Sequence, residues 1–181
     1  MRLNVENARS LQQFLLSIPA KNFDHGRWQA WTWAEEDGPD LSVHEKNMCN
    51  TSACVGGWAV IFGNLAPYQV DEDGEVRFVD VHGDDADPDF GRLAGEWLGL
   101  ETESERGALF WPFDINEDSC AQYDLSESEY YAYMVSGAFG SRTTPTQAAA
   151  FLGLMIERNG IDVRWWAEAK NLNVDFEGET P

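Results

Sequence analysis

Thr144-Pro145-Thr146-Gln147-Ala148-Ala149-Ala150-Phe151-Leu152-Gly153-Leu154-Met155-Ile156-Glu157-Arg158-Asn159-Gly160 decides how the rest of the chain is read. A threonine followed three residues later by glutamine is a capping box, and proline between them suits the first helical position. Ala148, Phe151, Leu152, Met155 and Ile156 recur at three- and four-residue spacing, which turns one apolar stripe inward. Asn159-Gly160 offers the left-handed conformation that stops a helix. The stretch predicts an amphipathic helix with both ends written into its sequence.

The same grammar recurs on both sides. Residues 4–18 carry a stripe of Val5, Ala8, Leu11, Phe14, Leu15 and Ile18, ended by Pro19. Asn50-Thr51-Ser52 supplies capping chemistry for a short helix over 53–62, with Val55, Trp58, Ile61 and Phe62 inward. Gly56-Gly57 in that helix implies close approach by a neighbour. Asp87 followed by Pro88 reads as a cap and first position for a helix burying Phe90, Leu93, Ala94, Trp97 and Leu98, with Gly99 its stop. A short helix over 103–110 is closed by Pro112, and residues 113–125 read as irregular. Ser126 with Glu129 is another capping box, opening a helix to about Val135. Asp162 is expected to cap a last helix holding Trp165, Trp166 and Ala169.

One segment changes period. Tyr68-Gln69-Val70 and Val76 to Val81, separated by Asp71-Glu72-Asp73-Gly74, predict a small hairpin over 68–81 with an Asp-Gly turn. Two strands alone are marginal, so the hairpin must lie on helices. The expected fold is therefore α+β: a mainly helical single domain over 1–170, with an acidic, loose tail over 171–181.

Across 181 residues, 12 Lys and Arg oppose 32 Asp and Glu, a net charge of −20. Hydrophobic residues make up 43%, enough for a core despite the charge. A field of that sign repels nucleic acid and anionic lipid and attracts basic proteins. No apolar run is long enough to span a bilayer, and the N-terminus lacks the apolar region of a signal peptide. Three cysteines are too few for a disulfide framework, so the expected location is the cytoplasm.

The unusual string is Met48-Cys49-Asn50-Thr51-Ser52-Ala53-Cys54-Val55-Gly56-Gly57-Trp58-Ala59. With Phe23-Asp24 upstream and Leu98-Gly99-Leu100, Leu109-Phe110 and Thr144-Pro145-x-Gln147-Ala148 downstream, it resembles a family of small actinobacterial and actinophage proteins sharing a C-x-T-x-x-C-x-x-G-W/H pattern. The resemblance spans roughly residues 22–166. It implies a helix-rich fold and a phage or actinobacterial origin, and it brings no activity with it. The acidic insert at 71–89 is where this chain departs from that pattern.

Chemically the string leaves alternatives open. Zinc would draw on Cys49, Cys54 and Cys120 with His44, His25 or His82, but structural zinc prefers two close ligand pairs and only one exists. A thiol nucleophile at Cys49 or Cys54 with His44 as base is a second alternative. The plainer one makes Cys54 a small buried hydrophobe near Trp58. Asp85, Asp87, Asp89 and Glu96 imitate the spacing of a calcium loop, although Phe90 stands where that loop needs glycine. No phosphate loop, dinucleotide fingerprint, nucleophile elbow or H-E-x-x-H is present. No cofactor is expected.

The acids gather at residues 35–40, 71–75, 80–89, 101–105, 114–118 and 124–129. Glu35, Glu36, Asp37, Asp71, Glu72, Asp73, Asp84, Asp85, Asp87 and Asp89 are the candidate contacts. The expected function is a non-enzymatic acidic module that binds a basic or nucleic-acid-binding protein, as a phage-encoded nucleic-acid mimic acting on a host factor. A small metal- or thiol-dependent enzyme centred on Cys49 and Cys54 is the alternative. Trp28, Trp31 and Trp33 lack helical spacing and are candidates for either core or interface.

Overall fold

A computed structural model describes residues 2–23, 30–31, 51–52, 54–70, 76–86, 88–110, 112, 117–139 and 143–171. Among these the chain forms seven α-helices: α1 (Val5–Ser17), α2 (Val55–Phe62), α3 (Phe90–Leu98), α4 (Glu103–Phe110), α5 (Glu127–Ser136), α6 (Pro145–Arg158) and α7 (Trp165–Ala169). Two two-stranded antiparallel ladders accompany them, β1 (Ala30–Trp31) with β2 (Thr51–Ser52) and β3 (Tyr68–Val70) with β4 (Val76–Phe78). The fold is α+β and mainly helical, as the periodicity predicts.

The longest helix, α6, begins as its sequence dictates. Thr144 Oγ1 accepts from the Gln147 amide, Gln147 Oε1 accepts from the Thr144 amide, and Pro145 opens the first turn. Asn159 ends it in the left-handed conformation, φ 48°. Ala148, Phe151, Leu152 and Met155 are fully inside, while Ile156 packs only partly against the core. Each buried Leu, Met or Phe side chain contributes roughly 1.5–3 kcal/mol by leaving water. The main partner of α6 is α1, whose Ala8, Leu11 and Leu15 have no exposed surface. Gln12 Nε2 donates to the Ala149 carbonyl across that contact.

Helix α1 also ties down α3. Asn4 caps α1 by accepting from the Asn7 amide, and its own amide donates to the Leu98 carbonyl. Asn7 Nδ2 donates to the Trp97 carbonyl. Carbonyls in the last turn of a helix have no partner within it, and here α1 supplies one. Gly99, at φ 78°, closes α3 so near the segment before α1 that a Cβ would overlap the Arg2 carbonyl.

Rings close the remaining space. Phe14 of α1 stacks on Phe62 at 4.9 Å and meets Trp58 edge-on at 5.3 Å, and Phe62 meets Trp97 of α3 edge-on. Trp58 Nε1 donates to the Asn22 carbonyl, so the buried indole keeps its hydrogen bond. At the other end Trp166 stacks on Phe151 at 4.2 Å and donates Nε1–H to the Ala108 carbonyl, joining α4, α6 and α7. Phe78 of β4 lies between Tyr68 and Phe90, which sets the β3–β4 hairpin on α3.

Several boundaries depart from the sequence reading. Helix α2 is capped by Cys54, not by the Asn50–Ser52 triplet, because Thr51 and Ser52 pair with Trp31 and Ala30 as a strand. Its inward residues Val55, Trp58 and Ile61 are buried, and Phe62 is half-buried. Helix α3 is capped by Asp89 rather than Asp87, so Pro88 precedes the cap instead of following it. Packing of Phe90 on Phe78 at 5.0 Å selects between two aspartates of equal capping chemistry. Leu93 and Trp97 are only partly buried. The segment read as irregular contains a 3-10 helix, Glu117–Tyr123, anchored by buried Cys120 and Leu125. Strand β4 ends at Phe78, short of the expected Val81, which is 88% exposed. The expected Asp-Gly turn and all of the tail beyond Asn171 lie outside the described residues.

Candidate interaction surface

The cysteines come first, since the sequence singled them out. Cys54 Sγ accepts from the Gly57 amide at 3.4 Å, and the Cys54 carbonyl accepts from the Trp58 amide. The residue is 2% exposed, so its thiol serves as the helix cap inside the core. Cys120 is also buried, in a different part of the chain. Cys49, His44 and His25 lie outside the described residues, and His82 is exposed on a loop. Among the described residues, no group of three or more His, Cys, Asp or Glu could hold a metal ion.

The calcium-like spacing is used otherwise. Asp85 pairs with Arg77 at 3.2 Å, Asp89 accepts from the Arg92 amide, and Glu96 pairs with Arg92 one turn on. Asp87 lies outside the described residues. Each described carboxylate of that set thus has a local structural partner.

A tight loop follows β4. Asp80 Oδ1 accepts from the amides of His82 and Asp84 at 2.7 and 3.0 Å, and the Asp80 amide donates to the Asp84 carbonyl. Gly83 takes φ 85° to complete the turn, and Val79 bridges to Asp85. These bonds hold Val81, His82, Asp84 and Asp85 out into solvent with little conformational freedom left to lose. Of the ten candidate acids, Asp84, Asp85 and Asp89 are described, and all three are exposed; Glu35, Glu36, Asp37, Asp71, Glu72, Asp73 and Asp87 lie outside.

Sequence reasoning passed over a second acidic region in choosing those ten. Residues 101–129 are rich in acids, and Arg106 is their only base. Two helix starts organise it. Glu105 Oε2 accepts from the amides of Glu101 and Thr102, while Thr102 Oγ1 accepts from the Glu105 amide. Burial opposes ionisation of Glu105, but the amide bonds from Thr102 and Glu101 prevail and hold its carboxyl below the ordinary range. Ser126 and Glu129 form the expected capping box, and the Ser126 hydroxyl and amide hold the Glu129 carboxyl low as well. Two carboxylates are therefore committed to capping, and exposed Glu103, Asp124 and Glu127 remain beside them.

Between these helix starts and the approach to α7 lies a cleft of about 360 Å³, lined by residues that include Glu105, Ala108, Tyr123, Asp124, Asp162 and Arg164. Arg164 donates to the Asp124 carbonyl at 2.9 Å and pairs with the carboxylates of Asp162 at 3.4 Å and Asp124 at 3.7 Å. Asp162 does not cap α7 with its side chain as expected. Its Oδ1 accepts from the amide of Arg164, the residue just before the helix, which itself occupies the cap position. The guanidinium is thus neutralised from within, and the cleft keeps an acidic lining.

Helix α5 starts at the edge of this region. Tyr130 and Tyr133 face the core, whereas Tyr131, Met134 and Val135 are 47, 46 and 89% exposed. Residues four and three apart share a helix face, so Glu127, Tyr131, Met134 and Val135 form one outward strip, acidic at its start and apolar beyond. Of the tryptophans read as candidates for either core or interface, Trp28 and Trp33 lie outside the described residues, and Trp31 belongs to β1. No helix among the described residues is long and apolar enough to cross a membrane.

Comparison with known protein families, curated proteins and solved structures returned no match to the chain. The resemblance built on the string at residues 48–59, with Phe23-Asp24 upstream and Leu98-Gly99-Leu100, Leu109-Phe110 and Thr144-Pro145-x-Gln147-Ala148 downstream, therefore rests on those residues alone.

Proposed function

We propose that the protein is a non-enzymatic acidic module that binds a basic protein, its carboxylates standing where the partner otherwise receives nucleic-acid phosphates. The observation that carries this reading is the region over residues 101–129. There exposed Glu103, Asp124 and Glu127 accompany two ordered helix starts, with Arg106 the only base of the stretch. The Asp80 loop adds Asp84 and Asp85 on a backbone already held by hydrogen bonds. Pre-ordered charge lowers the entropic cost of binding, and a field of −20 accelerates encounter with a cation. In the phage version of this reading, the partner is a host nucleic-acid-binding protein of the bacterial cytoplasm.

The test is affinity capture of a basic nucleic-acid-binding protein at two salt concentrations, with duplex DNA as competitor. Capture that weakens steeply with salt and is displaced by DNA supports the reading. Capture indifferent to both overturns mimicry.

A further inference from the structure

The outward strip of α5 has a chemistry that selects its occupant, and we infer that it docks an amphipathic, basic helical segment of the partner protein. The inference rests on the acidic-module reading and names the surface that gives it specificity. Val135 and Met134 present 89 and 46% of their surface on a helix whose other face, Tyr130 and Tyr133, is in the core. Glu127 lies on the same strip two turns earlier, and Asp124, fully exposed, stands just before it. Helix α5 itself contains no Lys or Arg.

Charge decides among possible covers. A second copy would bring another −20 against the first, and an anionic lipid surface would be repelled likewise. A segment with lysines or arginines at one end and leucine-like residues beyond matches the strip in both parts. From Glu127 to Val135 the strip runs about 12 Å at 1.5 Å per residue, so two to three turns of partner helix cover it.

The probe is a pair of synthetic Leu/Lys peptides of identical composition. In one, leucines recur at i, i+3, i+4 and i+7; in the other the order is permuted so that no helical face is apolar. Binding of each labelled peptide to the full chain is measured by fluorescence anisotropy at low and high salt. The wild type is expected to bind the amphipathic peptide at least tenfold more tightly than the permuted one. The double variant M134S/V135S, altered only at exposed positions, is expected to bring that ratio to about one. E127Q is expected to weaken both peptides and lower the salt dependence. Equal binding of the two peptides, unchanged in M134S/V135S, overturns the docking face while leaving the acidic reading intact. Absence of binding by either peptide at low salt overturns both.

Discussion

The Cys54 thiol accepts a hydrogen bond from the Gly57 amide at the start of α2. The residue that most resembles a reactive centre in the sequence is thereby occupied with a structural task. Sulfur is a weak acceptor, but the first amides of a helix need a partner, and this one is buried where water does not reach.

Replacing that thiol separates capping from chemistry. Cys54→Ala is expected to cost about 1 kcal/mol in urea unfolding, the usual loss for a missing cap. Cys54→Ser, which retains an acceptor, should be the more stable of the two. The reverse order would remove the capping role. Both variants should capture the proposed basic partner as the wild type does; loss of that capture in Cys54→Ser with stability intact would revive the thiol alternative.

Two glycines with nearly the same backbone angle have different surroundings. Gly99 at φ 78° lies against the Arg2 carbonyl, whereas a Cβ on Gly137 at φ 76° meets nothing within 4 Å. Gly137→Ala should therefore lose only the left-handed penalty, about 1 kcal/mol. Gly99→Ala should lose more, about 2 kcal/mol or above, because the backbone of Arg2 to Asn4 must also move. Equal losses by denaturant titration would show that the contact with Arg2 contributes nothing.

Trp166→Phe keeps the stacked ring on Phe151 but removes the donor to Ala108. A buried carbonyl left without its partner costs roughly 1–3 kcal/mol, and unfolding midpoints should report that loss. Retention of the wild-type midpoint would mean that the Ala108 carbonyl finds another donor.

Lys170 gives the stability a pH dependence on the alkaline side. Burial pushes its amine from 10.5 down to about 8, although Gly137 accepts a hydrogen bond from it and Trp166 lies beneath it at 5.8 Å. Below pH 8 both native and unfolded chains carry the proton, and the full burial penalty is present. Between about 8 and 10.5 the native chain has released it and the unfolded chain has not, so stability rises with pH. Lys170→Met should flatten the rise between pH 7.5 and 9.5 in parallel urea titrations. An unchanged slope would assign the effect to other groups.

The helix plan was legible because its signals are local. The Thr144–Gln147 and Ser126–Glu129 boxes, the Asn159 and Gly99 stops and the stripe of α1 each act within about one turn, and the structure repeats them. Where two residues carried the same local chemistry, the reading went astray. Asp87 and Asp89 are equally able caps, and Asn50, Ser52 and Cys54 all offer acceptors. Packing of Phe90 on Phe78 and pairing of Thr51 and Ser52 with β1 made those choices. The acids of the Asp80 loop were named from sequence, but the strip on α5 was not. Its signal was present in the spacing of Glu127, Tyr131, Met134 and Val135, and only burial of Tyr130 and Tyr133 shows which face is outward.

By itself, then, the sequence determined a mainly helical α+β fold, the limits of those helices whose caps have no local rival, and a net charge of −20. Those properties follow from neighbours along the chain and from summed charge. Tertiary structure alone decided that Trp166 reaches Ala108, that Trp58 reaches Asn22 and that Asn7 closes α3 at Trp97. Each of these bonds joins residues distant in sequence. Its partner is chosen by which buried carbonyl remains unsatisfied once the helices have packed, and no local pattern carries that information.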